Sequence, residues 1–209
     1  MSNYVIAIAR GFGSGGKQIG LKLAEELGIQ LIDKELLQMA SIQSGINEEL
    51  FKLADERIKK TFLGMIPDRK YIGNVLTPEH DKFVSDVNLF NYQCEVLKYL
   101  AETESFVVLG KAAYHVLRDY PNVVSVCIQA PFEDCVKSIM NRIDVDEKEA
   151  KRMVRETDKY RAEYNKFYTG GDWMDITNFD ICLNSARIGR ENCPEVIKQC
   201  LRTKLGLEL

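Results

Sequence analysis

The sequence predicts an α/β fold: one domain built on a five-stranded parallel sheet with helices on both faces. Three observations carry that expectation. Short apolar runs rich in branched residues alternate along the chain with segments of helical periodicity, the pattern of strands buried on both sides. The first run passes directly into a glycine-rich loop and a helix, at the strand end where open parallel sheets hold their ligands. A chain of 209 residues, 45% hydrophobic and 28% charged, also suffices for one large core and has neither a disordered nor a fibrous composition.

Taken in order, Tyr4 to Ala9 alternates and reads as the first strand. Ile19, Leu23 and Leu27 then mark one face of a helix from Lys17 to Leu27, with Gly28 placed to end it. Gln30 to Ile32 is a second strand ending at Asp33, and Lys34 to Ser44 a helix stopping near Gly45. Asn47, followed by Glu48 and Glu49, starts a helix running to about Lys60. Residues 61 to 82, with Gly64, Pro67, Asp68, Gly73 and Pro78, contain the irregular segment.

Phe83, Val87, Phe90, Cys94, Leu97 and Ala101 line one face of a long helix. Phe106 to Leu109 is a buried strand ending in Gly110 and Lys111; Val123 to Ile128 is the next, with a helix opening at Pro131. Asp146 caps a charge-dense helix through Tyr168, expected to be mostly solvated, and Gly170 and Gly171 end it. Phe179 to Leu183 makes the fifth strand and Pro194 to Leu205 the closing helix.

The charge balance removes several function classes. A net charge of -3, with both signs mixed along the chain, offers no basic stripe for nucleic acid. The six cysteines form no C-x-x-C pair and sit mainly in apolar runs, so neither a disulfide framework nor a zinc site is expected. No signal peptide or membrane-spanning stretch is recognisable, which makes the cytoplasm the expected compartment and excludes a membrane partner. His80 and His115 stand alone and receive no role.

Gly11-Phe-Gly-Ser-Gly-Gly16-Lys17 fits G-x-x-x-x-G-K, the phosphate-binding or Walker A pattern, in the strand-to-helix setting that the pattern requires. Gly11, Gly13, Gly15 and Gly16 let successive backbone N–H groups turn inward around an anion. The following helix adds its positive end, and Lys17 supplies a mobile charge for the outer phosphates. Ser14 either touches a phosphate or serves as a small turn residue. Gln18 stands where the pattern carries Ser or Thr, so the usual hydroxyl ligand for Mg²⁺ is missing.

The run IARGFGSGGKQIGLKLAEELGIQLIDKELL resembles the opening of the cytidylate kinase-like family, a branch of the P-loop nucleoside monophosphate kinases. The likeness continues at VVLGKAAYHVL, VVSVCIQAPFEDCVKSIMNR and DKYRAEYNKFYTGGDWMDITNFDICLNS, and is weakest over residues 45 to 90. It implies a three-layer P-loop kinase fold that transfers the γ-phosphoryl group of ATP to a nucleoside monophosphate, with ATP and Mg²⁺ required. It also implies a core of residues 1–44, 105–142 and 176–209, a helical acceptor-binding insertion at about 45–104 and a lid at about 143–175.

In the resembled kinases the lid presents an arginine, an acid and an arginine, which fall here on Arg155, Asp158 and Arg161. Residues three apart share a helix face, and in-line transfer between two anions needs a second cation group facing the loop. Arg142, ending the helix before, joins them, so that Lys17, Arg142, Asp158 and Arg161 form the expected catalytic set. Lys111 occupies a position where the family usually has Arg for the acceptor phosphate. Asp33 either orients the acceptor or caps the following helix. Gln93 meets a base edge or remains a surface glutamine, and Tyr164, Tyr168 and Trp173 stack on a base or pack. The acid that such kinases carry near the end of strand three is replaced by apolar Val108-Leu109, so no residue is assigned to metal. Two other readings stay open: a kinase with a different small acceptor, and a nucleotide-binding sensor with little transferase activity.

Overall fold

Five parallel strands form the sheet in the order β2-β3-β1-β4-β5, in a computed structural model that describes residues 3–60 and 73–208. The strands are β1 (Val5–Arg10), β2 (Gln30–Ile32), β3 (Phe106–Leu109), β4 (Val123–Gln129) and β5 (Ile181–Asn184). β1 is central: Ala7 registers with Val108 on one side and Ser125 on the other. Between them run α1 (Gly16–Leu27), α2 (Glu35–Ser44), α3 (Glu48–Lys60), α4 (Asp86–Thr103), α5 (Ala113–Val116), α6 (Phe132–Ile143), α7 (Glu147–Thr169), α8 (Ser185–Ile188) and α9 (Cys193–Leu205).

The apolar run from Val5 to Ala9 in β1 follows from its two covered faces. Val5, Ala7 and Ala9 join a core with Leu36, Phe51, Leu97 and Phe106, beneath α2, α3 and α4. Tyr4, Ile6 and Ile8 face the other way, into a core with Ile19, Leu23, Ile197 and Leu201 from α1 and α9. Period-two alternation sends neighbouring side chains to opposite sides, so one strand feeds both cores. No helix among the described residues is long and apolar enough to cross a membrane.

The elements depart from expectation in a few places. α7 is less solvated than its charge density suggests: Ala150, Val154, Tyr164, Asn165 and Tyr168 are buried along its length. Its first half packs on α6, and its tyrosines pack on Phe90 of α4. The fifth strand begins at Ile181 rather than Phe179; just before it the Asp180 amide donates to the Ser125 carbonyl at 3.0 Å while its carboxylate accepts the Ser125 amide at 2.8 Å. α5 and α8 have four residues each, too few to generate a periodic signal. Of the irregular segment, residues 61–72 lie outside the described residues. Its later part is held by side chains of α4, where Asn91 and Asn88 accept the amides of Gly73 and Leu76 at 2.9 and 2.8 Å.

Candidate active site

The glycine loop leaves β1 at its carboxyl end and closes on itself before α1 begins. Gly13 has φ of 87°, and a Cβ there would stand 2.6 Å from the Cys135 carbonyl, so only glycine passes against α6 at this point. Gly15, the residue that caps α1, is also left-handed, with φ of 83°, and a Cβ on it would stand 2.7 Å from the Arg190 side chain. Its carbonyl accepts the Ile19 amide at 2.9 Å, which starts the helix, so Gly15 turns the chain from loop to α1. Ser14 is fully buried; its hydroxyl donates to the Gly11 carbonyl at 2.8 Å and accepts from the Gly16 amide at 3.3 Å. The Ser14 hydroxyl thus bonds to the loop's own backbone as both donor and acceptor. The Ser185 hydroxyl donates to the Ser14 carbonyl at 2.6 Å, and the Arg190 guanidinium donates to the Gly13 carbonyl at 2.8 Å. Both hold carbonyls of the loop in fixed directions. Lys17 and Gln18 are exposed on the first turn of α1.

Asp33, one residue beyond β2, lies beside Lys17. Its carboxylate pairs with Lys17 Nζ at 2.9 Å and with the Arg10 guanidinium at 3.6 Å. It does not cap α2 with a hydrogen bond; its own amide instead donates to the Glu35 carboxylate at 2.9 Å.

α7 is fastened to the loop from the other side. Asp158 accepts the Phe12 amide at 2.8 Å and pairs with Arg161 at 3.2 Å, and Arg161 also donates to the Arg10 carbonyl at 2.9 Å. Burial raises the Asp158 carboxyl above its ordinary range, against the Phe12 amide and Arg161. Burial likewise lowers Arg161, with Asp158 opposing. Arg142 and Arg161 lie over the Phe12 ring, 5.5 and 5.7 Å from its centre. Arg155 is turned away from this group and sits over Phe132 at 4.9 Å.

Between α7 and the ends of β1 and β3 lies a cavity of about 890 Å³, with Arg10, Asp33, Lys111, Tyr160, Arg161 and Tyr164 on its walls. Gly110, Lys111 and Ala112 follow one another at φ of 73°, 54° and 52°, a left-handed turn that aims Lys111 away from the sheet. Two of the three are not glycine, at a cost of roughly 1–2 kcal/mol each. Lys111 forms an ion pair with Asp55 of α3 and lies 6.0 Å from the centre of the Tyr164 ring. Asp55 Oδ1, Glu163 Oε1 and the Tyr164 hydroxyl are buried without a hydrogen-bond partner among the described residues.

The residues expected to act together therefore fall into two groups, of which Asp33, Arg161 and Lys111 line the cavity. Lys17, Asp33, Asp158 and Arg161 converge on the loop, with Arg142 on its outer side; Lys111 stands across the cavity. Gln93 is 2% exposed on α4 and does not line the cavity, with its Nε2 3.5 Å from the Leu89 carbonyl one turn back and its Oε1 without a hydrogen-bond partner among the described residues. Tyr164 and Trp173 reach the cavity wall, while Tyr168 stacks on Phe90 at 3.9 Å. Arg10, Asp55 and Arg190 belong to the arrangement and were not singled out by sequence reasoning. A charged residue ending a buried strand was a visible signal for Arg10; the other two had none.

The donor set does not fit a magnesium ion bound directly by the chain. Gln18 offers no hydroxyl, β3 ends in buried Leu109, and Asp33 and Asp158 are both engaged by cations. Among the described residues no cluster of three or more His, Cys, Asp or Glu is placed to hold a metal.

A family model for the cytidylate kinase-like family matches residues 5–187. A cytidylate kinase from Methanosarcina acetivorans is 30% identical over 115 residues; the match takes in 53% of this chain and spans 63% of that relative's length. Among solved structures, an uncharacterised protein from Eubacterium ventriosum superposes with a TM-score of 0.69 at 28% identity, covering 95% of this chain and 98% of the other. A shikimate kinase from Acinetobacter baumannii gives a TM-score of 0.46 at 14% identity, over 96% and 94% of the two chains.

Proposed function

The chain belongs to the cytidylate kinase-like family, and from that premise we propose that it is a phosphotransferase that passes the γ-phosphoryl group of ATP to a nucleoside monophosphate. The observation that carries the reading is the placement of two cation groups across one cavity. Arg10 and Arg161 line it on the side of the glycine loop, where Asp33 on the same wall pairs with Lys17, and Lys111 lines it at the end of β3.

In this reading the glycine loop, through the amides of Gly13 and Gly15, and the start of α1 hold the ATP phosphates, with Lys17 on the outer ones; the amides of Gly11, Phe12, Ser14 and Gly16 are engaged within the fold. Lys111 and Tyr164 face the acceptor. An oxygen of the acceptor phosphate forms a bond to the γ-phosphorus while the bridging P–O bond breaks, its electron pair remaining on ADP. That oxygen is already deprotonated near neutral pH, so no general base is needed, and the work left to the chain is positioning and charge neutralisation. Arg161, tied to the loop through the Arg10 carbonyl, supplies part of that charge. α7 would act as the lid and the segment from 45 to 104 as the acceptor-binding insertion.

One observation favours a second acceptor class. Lys111 is already paired with Asp55, which reduces the charge offered to an acceptor phosphate, while the hydroxyl of Tyr164, a residue of the cavity wall, has no hydrogen-bond partner among the described residues and suits a hydroxyl group. A small hydroxylated acceptor matches that chemistry.

ADP release from ATP, measured with a panel of nucleoside monophosphates and small polyols, tests both readings. Turnover with at least one monophosphate is expected, and Lys17→Ala should lower it by about 10²-fold or more, the scale of one positioned electrostatic donor. Turnover confined to polyols would select the second reading, and wild-type rates in Lys17→Ala would overturn both.

A further inference from the structure

Arg10 ends β1 and directly precedes the first loop glycine, outside the G-x-x-x-x-G-K pattern. Its side chain is 17% exposed and lies on the cavity wall. Among the described residues its guanidinium has one ion-pair partner, Asp33 at 3.6 Å, and Asp33 is already committed to Lys17 at 2.9 Å. Among the described residues no hydrogen-bonded acceptor meets the five N–H donors of Arg10, which stand on the cavity wall where a ligand can supply one.

The surroundings make room for this guanidinium. Gly110 lies directly under it, and a Cβ at that position would collide with Nη1. Arg161 brings a second guanidinium alongside, fixed by Asp158 and by the Arg10 carbonyl. Burial and the neighbouring Arg161 charge push Arg10 down to about 10, against Asp33 and Asp158, so at neutral pH it remains a cation. Among the described residues the ion-pair partners of Arg10, Lys17 and Arg161 are two carboxylates, Asp33 and Asp158, with the Glu35 carboxylate held on the Asp33 amide beyond them. A planar guanidinium fork suits two oxygens of a tetrahedral oxyanion.

We propose that Arg10 binds the γ-phosphoryl group of ATP, donating from the cavity side to the oxygens of the group in transit. The proposal rests on the reading that the loop holds ATP. It assigns to a guanidinium part of the charge neutralisation that neither Gln18 nor the apolar end of β3 provides.

Calorimetric binding of ATP and of ADP to the full chain, without acceptor and at fixed magnesium, separates the two claims. ADP lacks the γ-phosphate and serves as the internal reference. Arg10→Gln should weaken ATP by about 10-fold or more, the scale of a charge-assisted hydrogen bond, and leave ADP nearly unchanged. Lys17→Ala should weaken both. An unchanged preference for ATP over ADP in Arg10→Gln overturns the role of Arg10 while leaving the loop reading intact. Failure of the wild-type chain to bind either nucleotide overturns both. Should Arg10→Gln lose ADP as well, Arg10→Lys, which keeps charge and stem but not the fork, decides: a preference for ATP reduced several-fold supports the proposal, and a wild-type preference refutes it.

Discussion

Asp158 accepts the amide hydrogen of Phe12 at 2.8 Å, so a carboxylate of α7 is fixed to the glycine loop 146 residues earlier in the chain. Arg161, one turn along, donates to the Arg10 carbonyl at 2.9 Å. The helix and the loop are therefore joined through the backbone of the loop, and a change in either bears on the other.

Removing that carboxylate leaves the Phe12 amide and the Arg161 charge without their partner. Asp158→Ala should lower stability by about 1–2 kcal/mol, discounted for the partial exposure of the pair. Asp158→Asn keeps an acceptor oxygen for Phe12 and should lose less. Urea denaturation of both variants gives the comparison; equal losses would show that the Phe12 hydrogen bond contributes nothing.

Burial raises the Asp158 carboxyl above its ordinary 3.8, which fixes the sign of two pH effects. The folded state holds this proton more tightly than the unfolded chain. Its contribution to stability is therefore full below the unfolded value and declines as pH rises through the folded one. Activity runs the other way, because protonation removes the ion pair with Arg161. The acid limb of kcat/KM should lie above pH 3.8 in the wild type and disappear in Asp158→Asn; a limb that survives the substitution belongs to another group.

Gly13 couples the loop to α6 at close range. Gly13→Ala combines a left-handed φ of 87° with a contact of 2.6 Å to the Cys135 carbonyl and 2.9 Å to its Cα, and should cost about 3 kcal/mol. Gly28→Ala serves as reference, since Gly28 is also left-handed, with φ of 65°, but has nothing within 4 Å, and should cost about 1 kcal/mol. Melting curves that place the two variants together would remove the argument for close packing.

The Lys111–Asp55 pair is 17% and 16% exposed, so removal of one partner strands a half-dry charge on the other. Lys111→Ala and Asp55→Ala should each destabilise by about 1–3 kcal/mol, and the double variant by less than their sum. A double-mutant cycle from denaturant unfolding measures the coupling. A coupling near zero would mean that the pair is absent in solution.

Much of the architecture was legible because it depends on local pattern. The five strands and the long helices follow from apolar periodicity, glycine stops and caps, which act within a few residues; Asp146 caps α7 by accepting the amide of Glu149. The glycine loop was legible for the same reason, since backbone geometry and Lys17 lie within seven consecutive residues. The buried side of α7 was not, because its apolar residues face two different neighbours, α6 first and α4 later, and so form no single stripe.

The sequence by itself determined the strand–loop–helix with its glycines and Lys17, the parallel sheet around it, and the placing of Asp158 and Arg161 on one face of α7. Only the tertiary structure decided what stands opposite these groups. Asp33 binds Lys17, Asp55 neutralises Lys111, Arg190 holds the Gly13 carbonyl and lies against Gly15, and Arg10 is left charged over Gly110. The physical reason is distance along the chain: these pairings join residues 16 to 177 positions apart, and the fold of the whole sheet, not the order of neighbouring residues, determines which charges meet.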